Sequence, residues 1–252
     1  MAGHSQWANR KHRKARQDAK KGKIFSKMAR EITMAARQGG SDPEVNARLR
    51  LAIDRARQFG VPNENIERAI KRGAGELQGE DYEELIYEGY GPGGVALMLS
   101  VVTDNRNRSA GELRHLFSRY GGNLGEAGCV SWMFERKGLL VIDRDDTTVP
   151  EDDLLLTAVE AGAEDFKSTD EAYQIITAPD DFETVRDALR RAGVTSFAVA
   201  EITQLPQSQV PVAGKEAQQL LRLLDALEDH DDVQEIYGNY EIAEEALAAY
   251  EA

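Results

Sequence analysis

The sequence predicts an α+β fold in three parts: an N-terminal helical domain, a discontinuous α/β domain, and a ferredoxin-like domain inserted into it. Three observations carry that expectation. Apolar residues recur at helical spacing between residues 24 and 73. Between 138 and 203 the chain runs twice through strand, helix and strand, the βαββαβ order of a split-βαβ unit. Residues 80–136 read as two strands, a helix and a strand, so they lack a helix and a strand that residues 205–252 contain. The expected domains are therefore 1–78, 79–136 together with 205–252, and 137–204.

Each element has a local reason. Phe25, Met28, Ile32 and Ala35 share one helical face, and Gly39 and Gly40 stop the helix. Asp42 and Pro43 are an N-cap and first-turn pair. They open a helix whose inward stripe is Val45, Leu49, Ala52, Ile53, Ala56 and Phe59. Its other face carries Arg48, Arg50, Arg55 and Arg57, which either extend a basic surface or stay solvated. After Gly60, Pro62 starts a short helix with Ile66, Ala69 and Ile70 inward, closed at Gly73. No turn here commits to helix-turn-helix geometry.

Residues 75–81 turn small and acidic, as a linker does. Residues 85–90 and 95–102 read as strands around GYGPGG. Gly89, Gly91 and Gly94 satisfy G-x-G-x-x-G in letters, yet a strand follows where a dinucleotide fingerprint needs a helix. A hairpin turn, with glycines at positive φ, fits better. TDNRNRS, 103–109, leaves a strand and enters a helix. Either the first-turn N–H groups, with Asn105, Arg106, Asn107 and Arg108, hold a phosphate or carboxylate, or Asp104 or Asn105 caps the helix and the arginines pair with acids. GGNLGEAG, 121–128, lacks the Lys-Ser/Thr pair of a P-loop and reads as a turn before a strand holding Cys129, Val130, Trp132 and Phe134. Beyond the 138–203 unit lie an amphipathic helix at 215–228 and a strand in DVQEIYGNY.

The charge is divided. The chain is net −13, but residues 1–78 hold 18 basic and 8 acidic side chains, net +10, leaving 13 basic and 36 acidic beyond them. Ten of those cations crowd the first thirty residues against the single acid Asp18: Arg10, Lys11, Arg13, Lys14, Arg16, Lys20, Lys21, Lys23, Lys27 and Arg30. Between residues 9 and 23 they fall on every face of a helix and leave no apolar stripe. Such crowding is relieved beside a polyphosphate, because each cation that meets a phosphate releases a condensed counterion. The asymmetry points to a nucleic-acid-facing head on an acidic body, which either orients docking by repulsion, serves solubility, or binds a basic protein.

Catalytic constellations are thin. The histidines His4, His12, His115 and His230 are scattered, with no H-E-x-x-H and no paired cysteines for zinc. The acid run at 143–153 resembles a calcium loop in charge only, since Thr148 stands where an EF-hand needs glycine. No enzyme activity, cofactor or metal is expected. The lone Cys129 excludes an intrachain disulfide and fits a reducing cytoplasm. Charge replaces the apolar core of a signal peptide, and no run approaches about eighteen apolar residues. The expected location is cytoplasmic, without membrane contact.

Four blocks carry a resemblance: GHSQWANRKHRKARQDAKKGKIFSKMAREI, NARLRLAIDRARQFGVPNENIERAIKRGAG, YEGYGPGGVALMLSVVTDNRNRSAGELRHLFSRYGGNLG and VSWMFERKG. They are similar to the YebC/PmpR family over nearly the whole length, more weakly between about 143 and 230. The resemblance implies an N-terminal helical domain followed by two ferredoxin-like α/β domains, the second inserted into the first. It also implies a probable transcriptional regulator that binds DNA. Some bacterial members, and a mitochondrial relative that activates translation of a cytochrome oxidase subunit, imply instead a ribosome-associated role in relieving stalled translation. Carried over by motif, the contact residues are His4, Trp7, Arg10, Lys11, His12, Arg13, Lys14, Lys20, Lys21 and Lys23, with Arg16 and Lys27 in the same basic run. Trp7 either stacks on an unpaired base, which favours RNA, or pins the N-terminus to the helices.

Overall fold

The computed structural model describes residues 21–79 and 81–251. Its described residues form two compact units, 133–208 and the remainder. No helix among them is long and apolar enough to cross a membrane. The fold is α+β, with a helical part followed by two four-stranded antiparallel sheets and a two-stranded parallel one.

The helical part is α1 (Lys21–Gly39), α2 (Ala47–Gln58) and α3 (Asn63–Gly73). They share one core of Ile24, Met28, Ile32, Ala35, Leu49, Ala52, Ile53, Ala56, Ile66 and Ala69, with Phe25 at its edge. The start of α2 departs from the Asp42–Pro43 expectation. The Asp42 carboxylate accepts the Glu44 N–H and its carbonyl the Asn46 N–H, both in a turn ahead of α2. Asn46 is the cap: it accepts from the Leu49 N–H and donates its amide to the Ala35 and Gly40 carbonyls. One buried side chain thus satisfies the start of one helix and the end of another, which a solvent-exposed Asp cannot do. The shift leaves Val45 outside the core, 79% exposed.

Strands β1 (Glu83–Tyr90) and β2 (Ala96–Thr103) form a hairpin closed by Pro92, Gly93 and Gly94, with positive φ at Gly93 and Gly94. Helix α4 (Arg106–Arg119) returns the chain to the two-residue strand β3 (Asn123–Leu124) on the far edge of β1. The strand expected around Cys129 begins only at Phe134. Before it, the carboxylate of buried Glu88 accepts from the N–H groups of Gly128, Val130 and Ser131, bending residues 128–131 into a loop in place of a ladder. Burial alone would raise the Glu88 carboxyl, but those three bonds and the Ser131 hydroxyl together hold it below its usual range.

The unit 133–208 holds β4 (Phe134–Asp143), α5 (Glu151–Glu160), β5 (Ala163–Ser168), β6 (Ala172–Thr177), α6 (Phe182–Arg191) and β7 (Val199–Pro206). Its sheet order β5-β6-β4-β7, antiparallel throughout, is the ferredoxin-like arrangement. Gln207 donates its N–H to the Met133 carbonyl at 2.9 Å, so the unit's two ends meet, as an insertion requires.

After it come β8 (Val210–Val212), α7 (Gly214–Glu228), β9 (Val233–Gly238), β10 (Tyr240–Ile242) and α8 (Glu244–Glu251). Strand β9 pairs antiparallel with β2, giving the first sheet the order β3-β1-β2-β9. Leu220, Leu223, Leu224 and Leu227 of α7 pack with Leu97, Leu99, Leu113 and Phe117 in one core. Residues more than a hundred positions apart thus supply the missing helix and strand.

Gly138 of β4 has no room for a side chain, because an added Cβ would meet Thr177 Oγ1 and Phe182 Cδ2. Gly138→Ala is expected to destabilise the ferredoxin-like unit by about 1–3 kcal/mol through overpacking, read as a lower urea midpoint.

Candidate nucleic-acid interface

His4, Trp7, Arg10, Lys11, His12, Arg13, Lys14, Arg16 and Lys20 lie outside the described residues. Lys21 opens α1. The next cations of α1, Lys23, Lys27 and Arg30, follow at helical spacing on one face and meet the end of α7 and the loop beyond it. Lys23 Nζ donates to the Asp229 carbonyl at 2.9 Å and lies 3.8 Å from the Asp231 carboxylate. Lys27 Nζ donates to the Glu228 carbonyl at 2.7 Å. Arg30 donates to the Asp231 carbonyl at 2.6 Å and to Asp232 Oδ1 at 3.0 Å. The Glu228 and Asp229 carbonyls are at a helix C-terminus, which carries partial negative charge, so cations are the fitting partners.

Lys27 shows the cost of that contact. Burial pushes its ammonium down to about 8, against the pull of Glu235, Glu228 and Asp231. Above that value the folded state releases a proton that the unfolded chain still holds, so Lys27 taken alone favours folding more as pH rises towards the free lysine value.

Asp232 is the hub of the contact. It is 3% exposed. Its Oδ2 accepts from Arg108 at 2.9 Å, Ser109 at 2.7 Å and Thr103 at 3.2 Å, while Oδ1 takes Arg30. Burial alone would raise its carboxyl, but Arg108 and Ser109, with the charges of Arg108 and Arg30, hold it below the usual carboxylate range. Its N–H donates to His230 Nδ1, whose Nε2 meets Glu112 at 2.8 Å. Glu112, His230 and Asp232 are close enough to share an ion. Their ligand atoms are already committed to this network, and the Asp232 carboxylate is met by the guanidiniums of Arg30 and Arg108.

The TDNRNRS turn takes the capped form. Asn105 accepts from the Arg108 N–H at 3.1 Å, and Arg108 pairs with Asp104 at 2.8 Å as well as with Asp232. Arg106 and Asn107 remain exposed at the first turn of α4. In α2, Arg48 makes a two-pronged pair with Glu84 at 2.8 and 3.0 Å. Arg55 bridges Glu31 and Glu235. Arg57 is exposed. The structure therefore gathers Lys23, Lys27, Arg30 and Arg55 on acids and carbonyls of the 228–235 segment, ties Arg48 and Arg108 to acids, and leaves Arg57, Arg106 and Asn107 on the surface. Sequence reasoning did not single out Asp232 or Glu88. The acidic run 229–232, directly after an amphipathic helix, was the available signal for the first, and nothing local marked the second.

Two family models match the chain. "TACO1/YebC protein N-terminal domain" covers residues 5–76, and "TACO1/YebC second and third domain" covers 82–240. The chain belongs to the TACO1/YebC family. A probable transcriptional regulatory protein of Pelotomaculum thermopropionicum is 58% identical over 96% of this chain and 99% of its own length. One of Carboxydothermus hydrogenoformans, with the same description, is 57% identical over 97% and 100%. The crystal structure of a conserved hypothetical protein from Aquifex aeolicus superposes with a TM-score of 0.79 at 50% identity, over 90% of this chain and 93% of that one. The relatives' names support a regulatory role for the family.

The Asp232 carboxyl ionises more readily folded than unfolded. Its contribution is complete above the unfolded carboxylate value of about 4 and is lost as pH falls through the lower folded value. Asp232→Asn should therefore cost about 2 kcal/mol at neutral pH, read as a lower urea midpoint. The gap between variant and parent should close on acidification as the parent's own carboxyl takes up its proton; a gap independent of pH would refute the ionic role.

Proposed function

We propose that this chain is a non-enzymatic, cytoplasmic regulator that acts by binding nucleic acid, with duplex DNA and transcription as the leading reading. The observation that carries it is the concentration of positive charge at one end, net +10 over residues 1–78 of a chain that is net −13. The regulatory description of the relatives is in keeping with it. In this reading the lead-in cations Arg10, Lys11, Arg13, Lys14, Arg16, Lys20 and Lys21 meet phosphates, joined by the exposed Arg57. Lys23 and Lys27 join them only by giving up the carbonyls of Asp229 and Glu228.

A second reading is a ribosome-associated translation factor that meets structured RNA. It is favoured by the ion pairs of Arg48 and Arg55, which remove from α2 two of the side chains suited to base edges in a major groove. Phosphate contacts position a protein without reading sequence, so a head built on them serves a folded RNA surface as readily as a duplex.

Titration of the full chain with duplex DNA, structured RNA and ribosomes at several salt concentrations separates the readings. Neutralising roughly 4 to 8 phosphates gives an expected log–log salt slope of about −4 to −7 on duplex DNA. Replacing Arg10, Lys11, Arg13 and Lys14 with alanine should make that slope shallower by about 3 to 4. Unchanged affinity and slope in that variant would overturn the assignment of the lead-in. Tighter binding to ribosomes than to DNA at matched salt would select the second reading.

A further inference from the structure

Helix α5 of the ferredoxin-like unit is apolar on the side it turns outward. Its fold requires Leu154 and Ala158, which are fully buried. Leu155, Leu156 and Val159 are 41%, 58% and 56% exposed. At 100° per residue these three fall within an arc of about 100°, a contiguous stripe and not scattered single residues. Three acids stand around it. Asp152 precedes the stripe by one turn in its own sector, and Asp153 and Glu160 flank it on one side. None of the three makes an ion pair with a described residue, whereas Glu151 on the same helix is paired with Arg144.

The surroundings have the same sign. Residues 133–208 hold 17 acidic and 7 basic side chains, net −10. Several of those cations are already engaged: Lys137 with Glu164, Arg144 with Glu151, Lys167 with Asp165, and Arg186 with Glu183 and Asp187. An apolar stripe inside uncompensated negative charge selects its occupant. Nucleic acid and anionic lipid are repelled by it, and an apolar surface without cations leaves the carboxylates unpaired.

We propose that the outer face of α5 is a docking site for a basic amphipathic helix of another protein, which lays its apolar side on Leu155, Leu156 and Val159 and its lysines or arginines against Asp152, Asp153 and Glu160. The mode is helix packing at an exposed stripe, with the rim charges setting orientation and association rate and the apolar contacts setting residence time. It is separate from the polyanion contact proposed for the head, so either can fail without the other.

The probe is a synthetic helical peptide with leucines along one side and lysines on the other, titrated into the full-length protein by calorimetry. It should bind with an affinity that falls as salt rises. The double variant Leu156→Ser, Val159→Ser should bind it about tenfold more weakly while melting at the parent temperature, because both side chains are already largely in water. A peptide of the same composition with its leucines scattered round the helix should bind no better than the variant does. Equal binding of the ordered peptide to parent and variant would overturn the proposal, as would equal binding of the ordered and scattered peptides. Two other results would also overturn it by assigning the stripe elsewhere: concentration-dependent dimers of the parent that the double variant abolishes, or retention of the parent, but not the variant, on vesicles of anionic phospholipid.

Discussion

A single buried carboxylate, Asp232, decides how the helical part is held to the first sheet. It receives Arg30 from α1, Arg108 and Ser109 from α4, and Thr103 from the end of β2, so that distant segments of the chain end on one group. A buried charge is tolerated only where donors replace its hydration, and here two guanidiniums and two hydroxyls do so. Lys23 and Lys27 extend the same contact to the carbonyls at the end of α7. The joint is thus polar and charge-matched, unlike the leucine-rich packing inside the sheet domain that receives it.

That joint divides the positive charge of the first 78 residues. Cations from residue 23 onward are largely turned onto acids and carbonyls of the same chain, through Lys23, Lys27, Arg30, Arg48 and Arg55. Those nearer the N-terminus have the sequence character of a polyanion-binding segment, one acid against many bases. The loop that anchors the head holds Lys23 and Lys27 by its carbonyls, and weakening that loop changes both stability and the charge left free on α1.

The ferredoxin-like unit was legible because its elements are local. A strand, a helix and a strand repeated within about 65 residues bring their own periodicity and turns, and the structure repeats that order. The hairpin around GYGPGG was legible for the same reason, with Gly93 and Gly94 at the positive φ the turn needs. Local signals misled where one side chain served two segments. Asn46 capped α2 because it also tied down the end of α1, and no property of Asp42 or Pro43 announces that competition. Glu88 bent the chain at 128–131 from a strand some forty residues earlier, turning an expected strand into a loop and leaving Trp132 on the surface.

Sequence alone therefore determined part of the inventory: the helices and strands that carry their own periodicity, and the polarisation of charge from one end to the other. These follow from periodicity and counting, which need no partner in space. Only the tertiary structure decided which cations face solvent and which face carbonyls, because an arginine reads the same in either setting until its acid arrives from two hundred residues away. The outward apolar stripe of α5 belongs to that second kind of knowledge too: Leu154, Leu155 and Leu156 are equivalent as letters, and packing alone separated the one that builds the core from the two that do not.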